Sequence, residues 1–422
     1  MHNSWVRLTM FYFAVTAVTG VVMRSAAYVP LPEGIVYGHL VHAHSHLAFL
    51  GWVYMALFVL FMVHFLHDTA RNSVQLKVLF ALTQLAIAGM FVSFSLQGYA
   101  IFSIGFSTLH IVLSYGFAIF VWKSLRRQAG GNARSPLSYM FVKGSLVCLA
   151  VSSIGPWMLA VLSANHLSGT DGADAAIYFY LHFQYNGWFT LGLLAVLLRI
   201  LETRNVRYPE RVVKLFYRMY VWSLPPSFLV SVLWIKTDPV WYAAAGIGAV
   251  LQWAAIVLLL AILNRLRASF ASLFRGWGSI NFHLAFAALL LKASMEVGAV
   301  VPGLTAWIFE SRSIVIGYLH LVLLGFVSML CLSFFLQLGW LDDRGKVQRA
   351  GYALFLGGFM LNELLLFMQG LFEWMHTSGL ASQGIGLCAA SIGMAAGVIM
   401  ISVKGTAGAG ASHENCSRTK TL

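Results

Sequence analysis

The sequence is short of charge: 10% of its 422 residues are Asp, Glu, Lys or Arg, against about 25% in a soluble domain. That shortage excludes a soluble globular fold for most of the chain. Acidic residues are the scarcer sign, 14 against 27 Lys and Arg, which leaves a net charge of +13. No basic stripe interleaves with aromatics on a soluble element, so nucleic acid is not an expected partner. Cysteine is sparse as well. Cys148, Cys331 and Cys388 fall inside apolar runs and Cys416 in the polar tail, with neither a CxxC pair nor a CxxCH motif. The spacing signals of a structural zinc, a disulfide framework and covalent haem are therefore missing.

What the chain has instead is apolar length, at 59% hydrophobic. Backbone polar groups in lipid must be satisfied internally, and a crossing needs about 20 mostly apolar residues, so the runs read as transmembrane helices. The expected spans are 5–23, 40–64, 76–99, 103–122, 140–163, 175–198, 216–235, 241–264, 280–300, 313–338, 350–373 and 382–402. The fold class is an all-α polytopic membrane protein of about twelve spans. Nearly all Lys and Arg lie in alternate loops and the two tails, while Glu33, Asp171, Asp174, Asp238 and Glu310 fall on the other side. That bias places both termini in the cytoplasm of a bacterial inner membrane. The first run, between Arg7 and Arg24, has the look of a signal peptide. It is read as a retained helix because its removal would break the repeat that follows.

Three segments share one pattern: HSHLAFLGWVYMALF (44–58), YLHFQYNGWFTLGLL (180–194) and YLHLVLLGFVSMLCL (318–332). Each has a His, four residues, then Gly and an aromatic. The histidines are His46, His182 and His320 and the glycines Gly51, Gly187 and Gly325, at near-equal intervals. The chain therefore divides into three four-helix units, 1–139, 140–275 and 276–402, with a polar cytoplasmic tail at 403–422. Each histidine opens the second helix of its unit at matched depth, in the outer part of the membrane.

A histidine inside a span needs a partner, and neutral imidazole ligates haem iron and transition metals. Three at matched depth are expected to converge on a central space. The glycine five residues on is taken to lie over one turn deeper on nearly the same face, letting a flat macrocycle rest against the helix. Hydrogen-bonding glue between helices is the plainer alternative. His42 shares a face with His46, whereas His44 is turned by ~160°, so HxH serves two sites on opposite sides of one helix. His39 reads as interfacial. His110 has no repeat equivalent, and His283, His64 and His67 sit toward the other ends of their spans. Lys292 and Glu296 are spaced for an ion pair on one helix face, and Glu363, beside Asn362, lies mid-span. All three charges are candidates for a proton path. Pro225-Pro226 should kink the seventh span.

In its topology and its three histidine segments the chain resembles the catalytic subunit I of the haem–copper oxidase superfamily. HSHLAFLGWVYMALF is most similar to the corresponding helix of nitric oxide reductases. The resemblance implies a low-spin haem b held by His46 and His320, with His44 or His42 as substitutes for His46, a second haem in some members, and a copper ligand at His182. The seventh span has no His, and the tenth has Tyr318-Leu319-His320 where the family has HxH. A complete copper site is accordingly not expected. The resemblance implies an oxidoreductase in respiratory electron transfer or O2/NO chemistry, with cytochrome c or a quinol as donor and a partner subunit. The alternatives are a non-enzymatic haem or metal assembly or NO-response protein, and a proton-coupled transporter.

Overall fold

The computed structural model describes residues 2–128, 135–167, 169–235, 238–377 and 382–403, so the tail from 404 onward lies outside the described residues. Among them every regular element is helical. The long helices are α1 (His2–Ser25), α2 (Tyr37–Phe65), α3 (Val74–Gln97), α4 (Ile101–Gln128), α5 (Leu137–Ala164) and α6 (171–203). They continue with α7 (210–232), α8 (Pro239–Arg265), α9 (Gly276–Gly298), α10 (Arg312–Gln337), α11 (Lys346–Trp374) and α12 (Gln383–Ser402).

Ten of these are long and apolar enough to cross a bilayer, which makes the chain an all-α polytopic membrane protein. The other two are α6 and α7, and their polar residues account for the difference from the sequence expectation. α6 opens with Asp171 and Asp174 and carries Gln184, Asn186, Arg199 and Glu202. α7 opens with Glu210 and Arg211 and contains Lys214, Arg218 and the Pro225-Pro226 pair. After the prolines, which cannot donate to the helical ladder, α7 tightens into a 3-10 turn at Leu229–Val232.

The three histidine-bearing helices form the centre. In α2 and α10 the most apolar stretches are 83% and 78% buried, against 28–50% in the other spans, and every residue of α6 from 182 to 198 is buried. They touch pairwise. Trp52 Nε1 donates to Ser328 Oγ at 2.7 Å, joining α2 to α10. Phe49 meets Phe189 at 5.8 Å between ring centroids, joining α2 to α6. Tyr185 and Tyr318 meet edge-on at 6.0 Å, joining α6 to α10.

The last carbonyls of α2, orphaned at a helix end, are each given a donor. Arg71 donates Nε to Met62 O at 3.0 Å and a second guanidinium N–H to Val63 O. Arg199 Nε reaches His64 O at 3.1 Å, and Gln128 Nε2 reaches Phe65 O at 2.8 Å. Cationic donors suit the negative end of the helix dipole. At the periphery α11 and α12 approach backbone to backbone. A Cβ at Gly397 would stand 2.5 Å from Phe355 N and 2.7 Å from Gly351 O, so only glycine permits the contact.

Candidate functional site

Each repeated histidine is the last α-helical residue before a π-helical segment. His46 precedes Leu47–Val53, His182 precedes Phe183–Phe189, and His320 precedes Leu321–Ser328. A π segment bonds i→i+5 in place of i→i+4 and recurs at functional sites in helices. The pattern found in sequence is therefore a local backbone irregularity repeated three times. A side-chain oxygen caps the irregularity in two copies: Thr190 Oγ1 donates to Tyr185 O and Ser328 Oγ to Leu323 O, both at 2.7 Å and five residues back.

The three imidazoles do not point at one another. Each is turned toward the next helix in the chain. The His46 ring stacks on Phe94 of α3 at 4.2 Å, His182 Nε2 lies 2.9 Å from Leu224 O of α7, and His320 Nδ1 lies 3.1 Å from Asn362 Nδ2 of α11. Among the described residues no three His, Cys, Asp or Glu side chains form a metal-sized cluster. The expected convergence on a central space is thus replaced by outward-facing histidines around an apolar centre.

The glycines meet side chains. The wider π turn lies between histidine and glycine, and in two copies both face the same neighbouring helix, α3 for His46 and Gly51 and α11 for His320 and Gly325. In the structure a Cβ at Gly51 would meet Leu47 and Ile87, one at Gly187 would collide with Cys148, and one at Gly325 would stand 2.8 Å from Phe359 and 3.1 Å from Ala288. They seat neighbouring side chains against the central helices.

The ring nitrogens differ in what they leave free. His46 Nδ1 is 2.9 Å from His42 O. A carbonyl only accepts, so Nδ1 carries the proton and Nε2 keeps its lone pair. His182 is fully engaged. Its Nε2–H donates to Leu224 O, and Nδ1 accepts from Asn186 Nδ2 at 3.1 Å. That leaves no lone pair for copper or haem iron.

His42 and His44 separate as the spacing implied. His42 packs edge-on to Tyr99 at 4.6 Å, on the α3 side with His46. His44 turns toward α1, where its Cε1 would lie 3.3 Å from a Cβ at Gly20. His320 interacts electrostatically with His44 and Arg24. So His44, and not His46, stands on the His320 side of α2. The His320 side chain retains 26% of its accessible surface although it lies within a span, and its Nδ1 is 3.9 Å from Glu363 Oε1. Three buried polar atoms on His320's neighbours lack hydrogen-bond partners among the described residues: His44 Nδ1, Asn362 Oδ1 and Glu363 Oε2. His110 is buried beside Tyr54, ring centroids 4.7 Å apart. His283 bonds back to Ser279 O at 2.8 Å on an exposed face.

Lys292 and Glu296 form the ion pair their spacing suggested, at 2.7 Å, with side chains 2% and 9% exposed. They sit in a network that the sequence did not single out. Lys292 Nζ also donates to Asn186 Oδ1, which accepts from Gln252 Nε2 at 3.0 Å. Because Lys and the Gln amide nitrogen only donate, the Asn186 oxygen must face them and its nitrogen must face His182. Tyr318 donates its hydroxyl to Glu296 Oε1 at 2.7 Å. A hydrogen-bonded chain therefore runs from Leu224 O through His182, Asn186, Lys292 and Glu296 to Tyr318, linking α7, α6, α9 and α10. Asn186 was signalled only by lying four residues after His182, one helical turn. Gln252 carried no spacing signal, whereas Tyr318 stands two residues before His320 in the repeat, as Tyr180 does before His182.

Neither a protein-family model nor a curated protein matches the chain.

Proposed function

We propose that the protein is a membrane-bound haem b protein, related in design to haem–copper oxidase subunit I and acting in respiratory electron transfer or O2/NO chemistry. The reading extends to twelve crossings in three four-helix units, with α6 and α7 completing the second. It rests above all on one observation: three histidines, each set at the start of a π segment in one of the three central helices. The haem ligands we assign are His320 and His44. The two are electrostatic neighbours, the His320 side chain keeps 26% of its surface accessible, and His44 has an unpaired ring nitrogen. Asn362 Nδ2 donates to Glu363 Oε1 at 3.0 Å, which holds the amide nitrogen toward His320. A His320 that binds iron through Nε2 would carry its proton on Nδ1 and turn it to Glu363 Oε1, 3.9 Å away. Arg24 and Arg312, electrostatic neighbours of each other, would face the haem propionates. Bound haem would supply one-electron transfer there. His46 would then serve the opposite face of α2, and His182 would hold the polar network in place.

A reduced-minus-oxidised visible spectrum of the purified protein tests this. A low-spin haem b signal is expected, and an iron-free, spectrally silent preparation from haem-replete cells would sink it. The electron donor in this reading is a cytochrome c or a quinol.

The second reading, a proton-coupled transporter, is favoured by a different observation. The buried Lys292–Glu296 pair and its relay of hydrogen bonds reach a cavity through Glu296 and Tyr318. Haem-free protein that moves protons on addition of a solute would select it.

A further inference from the structure

Between α6, α7, α8, α9, α10 and the short helix Pro302–Glu310 lies a cavity of about 1360 Å³ that the histidines do not line. It exceeds the ~300–1,000 Å³ of ordinary small-ligand pockets. Its walls are mostly apolar and aromatic. Tyr178, Trp234 and Phe309 pack against one another there, at 6.0 to 6.5 Å between ring centroids. At its inner end are Tyr185, Tyr318 and the nine-tenths buried carboxylate of Glu296. At its outer end stand two exposed carboxylates, Asp174 and Glu310. Among the described residues that line it none is Lys, Arg or His, and neither Asp174 nor Glu310 has an ion-pair partner.

We propose that this cavity binds a lipophilic organic cation. The chemistry follows from charge and surface together. Among the described lining residues the uncompensated charges are the carboxylates Asp174 and Glu310 at the mouth, so an anionic amphiphile such as a fatty acid is repelled there. Aromatic faces attract a cation through the ring quadrupole, more strongly where water is excluded. The apolar walls give a purely inorganic cation nothing in exchange for its hydration shell, whereas a cation clothed in hydrocarbon loses little on entry. Glu296 is paired with Lys292, so the inner end is close to neutral, and the carboxylates at the mouth carry the charge selectivity. Asp174 and Glu310 draw the cation in. This site does not depend on haem, and the inference stands or falls apart from the haem assignment.

The test is equilibrium dialysis of the purified full chain in neutral detergent against tetraphenylphosphonium and, separately, tetraphenylborate. The two ions share a shape and differ in the sign of charge, and protein-free micelles give the background. Saturable binding of one phosphonium per chain is expected, with the borate weaker by at least about tenfold, the effect of one modest charge interaction. Two variants at exposed positions then locate the site without touching the core. Asp174→Asn with Glu310→Gln should weaken phosphonium binding several-fold. Ala306→Trp, which fills the lining near the mouth, should abolish it while leaving the helical circular dichroism intact. No saturable phosphonium binding, equal binding of the two ions, or binding unchanged in both variants would each overturn the proposal.

Discussion

Replacing Glu296 by Gln should be among the most damaging single changes in the protein, and replacing its partner at the same time should rescue most of the loss. Lys292 is 2% exposed and its ammonium has two recorded partners, Glu296 and Asn186. Neutralising the carboxylate leaves a buried cation with only neutral acceptors. Breaking a buried pair in this way costs about 3–5 kcal/mol, whereas replacing both members by neutral side chains of similar size is often close to neutral. Lys292→Met should cost a similar ~3–5 kcal/mol, because a buried carboxylate then keeps only the Tyr318 hydroxyl. In the double variant the amide carbonyl introduced by Glu296→Gln can still accept from Tyr318. The expected deficit is then only the lost Lys292–Asn186 bond, about 1.5–3 kcal/mol for a charged hydrogen bond. The pair should therefore show a favourable coupling of several kcal/mol in a double-mutant cycle. The assay is reversible unfolding in mixed micelles by increasing SDS, followed by circular dichroism. Additive single and double effects would refute the reasoning, since they would mean that neither charge is compensated by the other.

Further outcomes follow from other contacts. His44→Ala and His320→Ala should each abolish a low-spin haem spectrum, whereas His283→Ala, on an exposed face, should leave it unchanged; an intact spectrum in His320→Ala would remove that ligand assignment. Gly397→Val should destabilise the chain by about 1–3 kcal/mol in the same SDS titration, the usual cost of overpacking, because the new carbon would press on the backbone of α11; an unchanged midpoint would show that α11 and α12 can separate freely. Ser328→Ala should cost roughly 1 kcal/mol by leaving the indole N–H of Trp52 unpaired at the α2–α10 contact, and a change within experimental error would indicate that the indole finds another acceptor.

The parts of the fold that sequence made legible were those written in apolar length. Residues 74–97 or 239–265, expected at 76–99 and 241–264, could be placed because a long, mostly apolar run in a chain this poor in charge has no other stable form. α6 was placed near its true limits, 171–203 against an expected 175–198, yet it falls short of the ten spans on polarity, since Gln184 and Asn186 are polar residues spent inside the protein. The histidine repeat was visible because three copies fixed its spacing. The direction in which each imidazole points was not, since it depends on the π segments, and a run such as LAFLGWV carries no composition signal for i→i+5 bonding. The His44 side of α2 could be separated from the His46 side by helical angle alone. Which side meets His320 required knowing that α10 packs on the His44 face. The Lys292–Glu296 pair was legible as a local i,i+4 spacing. Asn186, Gln252 and Tyr318 were not, because they reach the pair from three other helices.

The π segments have a consequence for how these helices can vary. Each takes up one extra residue in a wider turn, so the helix on either side keeps nearly the phase that a regular helix one residue shorter would have. The histidine end stays in place while Leu57 of α2 or Leu332 of α10 keeps its register with the packed centre. Deleting a single residue within 47–53 would therefore restore a regular helix with both ends nearly where they are. A one-residue gap in this segment among related chains would mark the loss of the wide turn behind the histidine without a change of core.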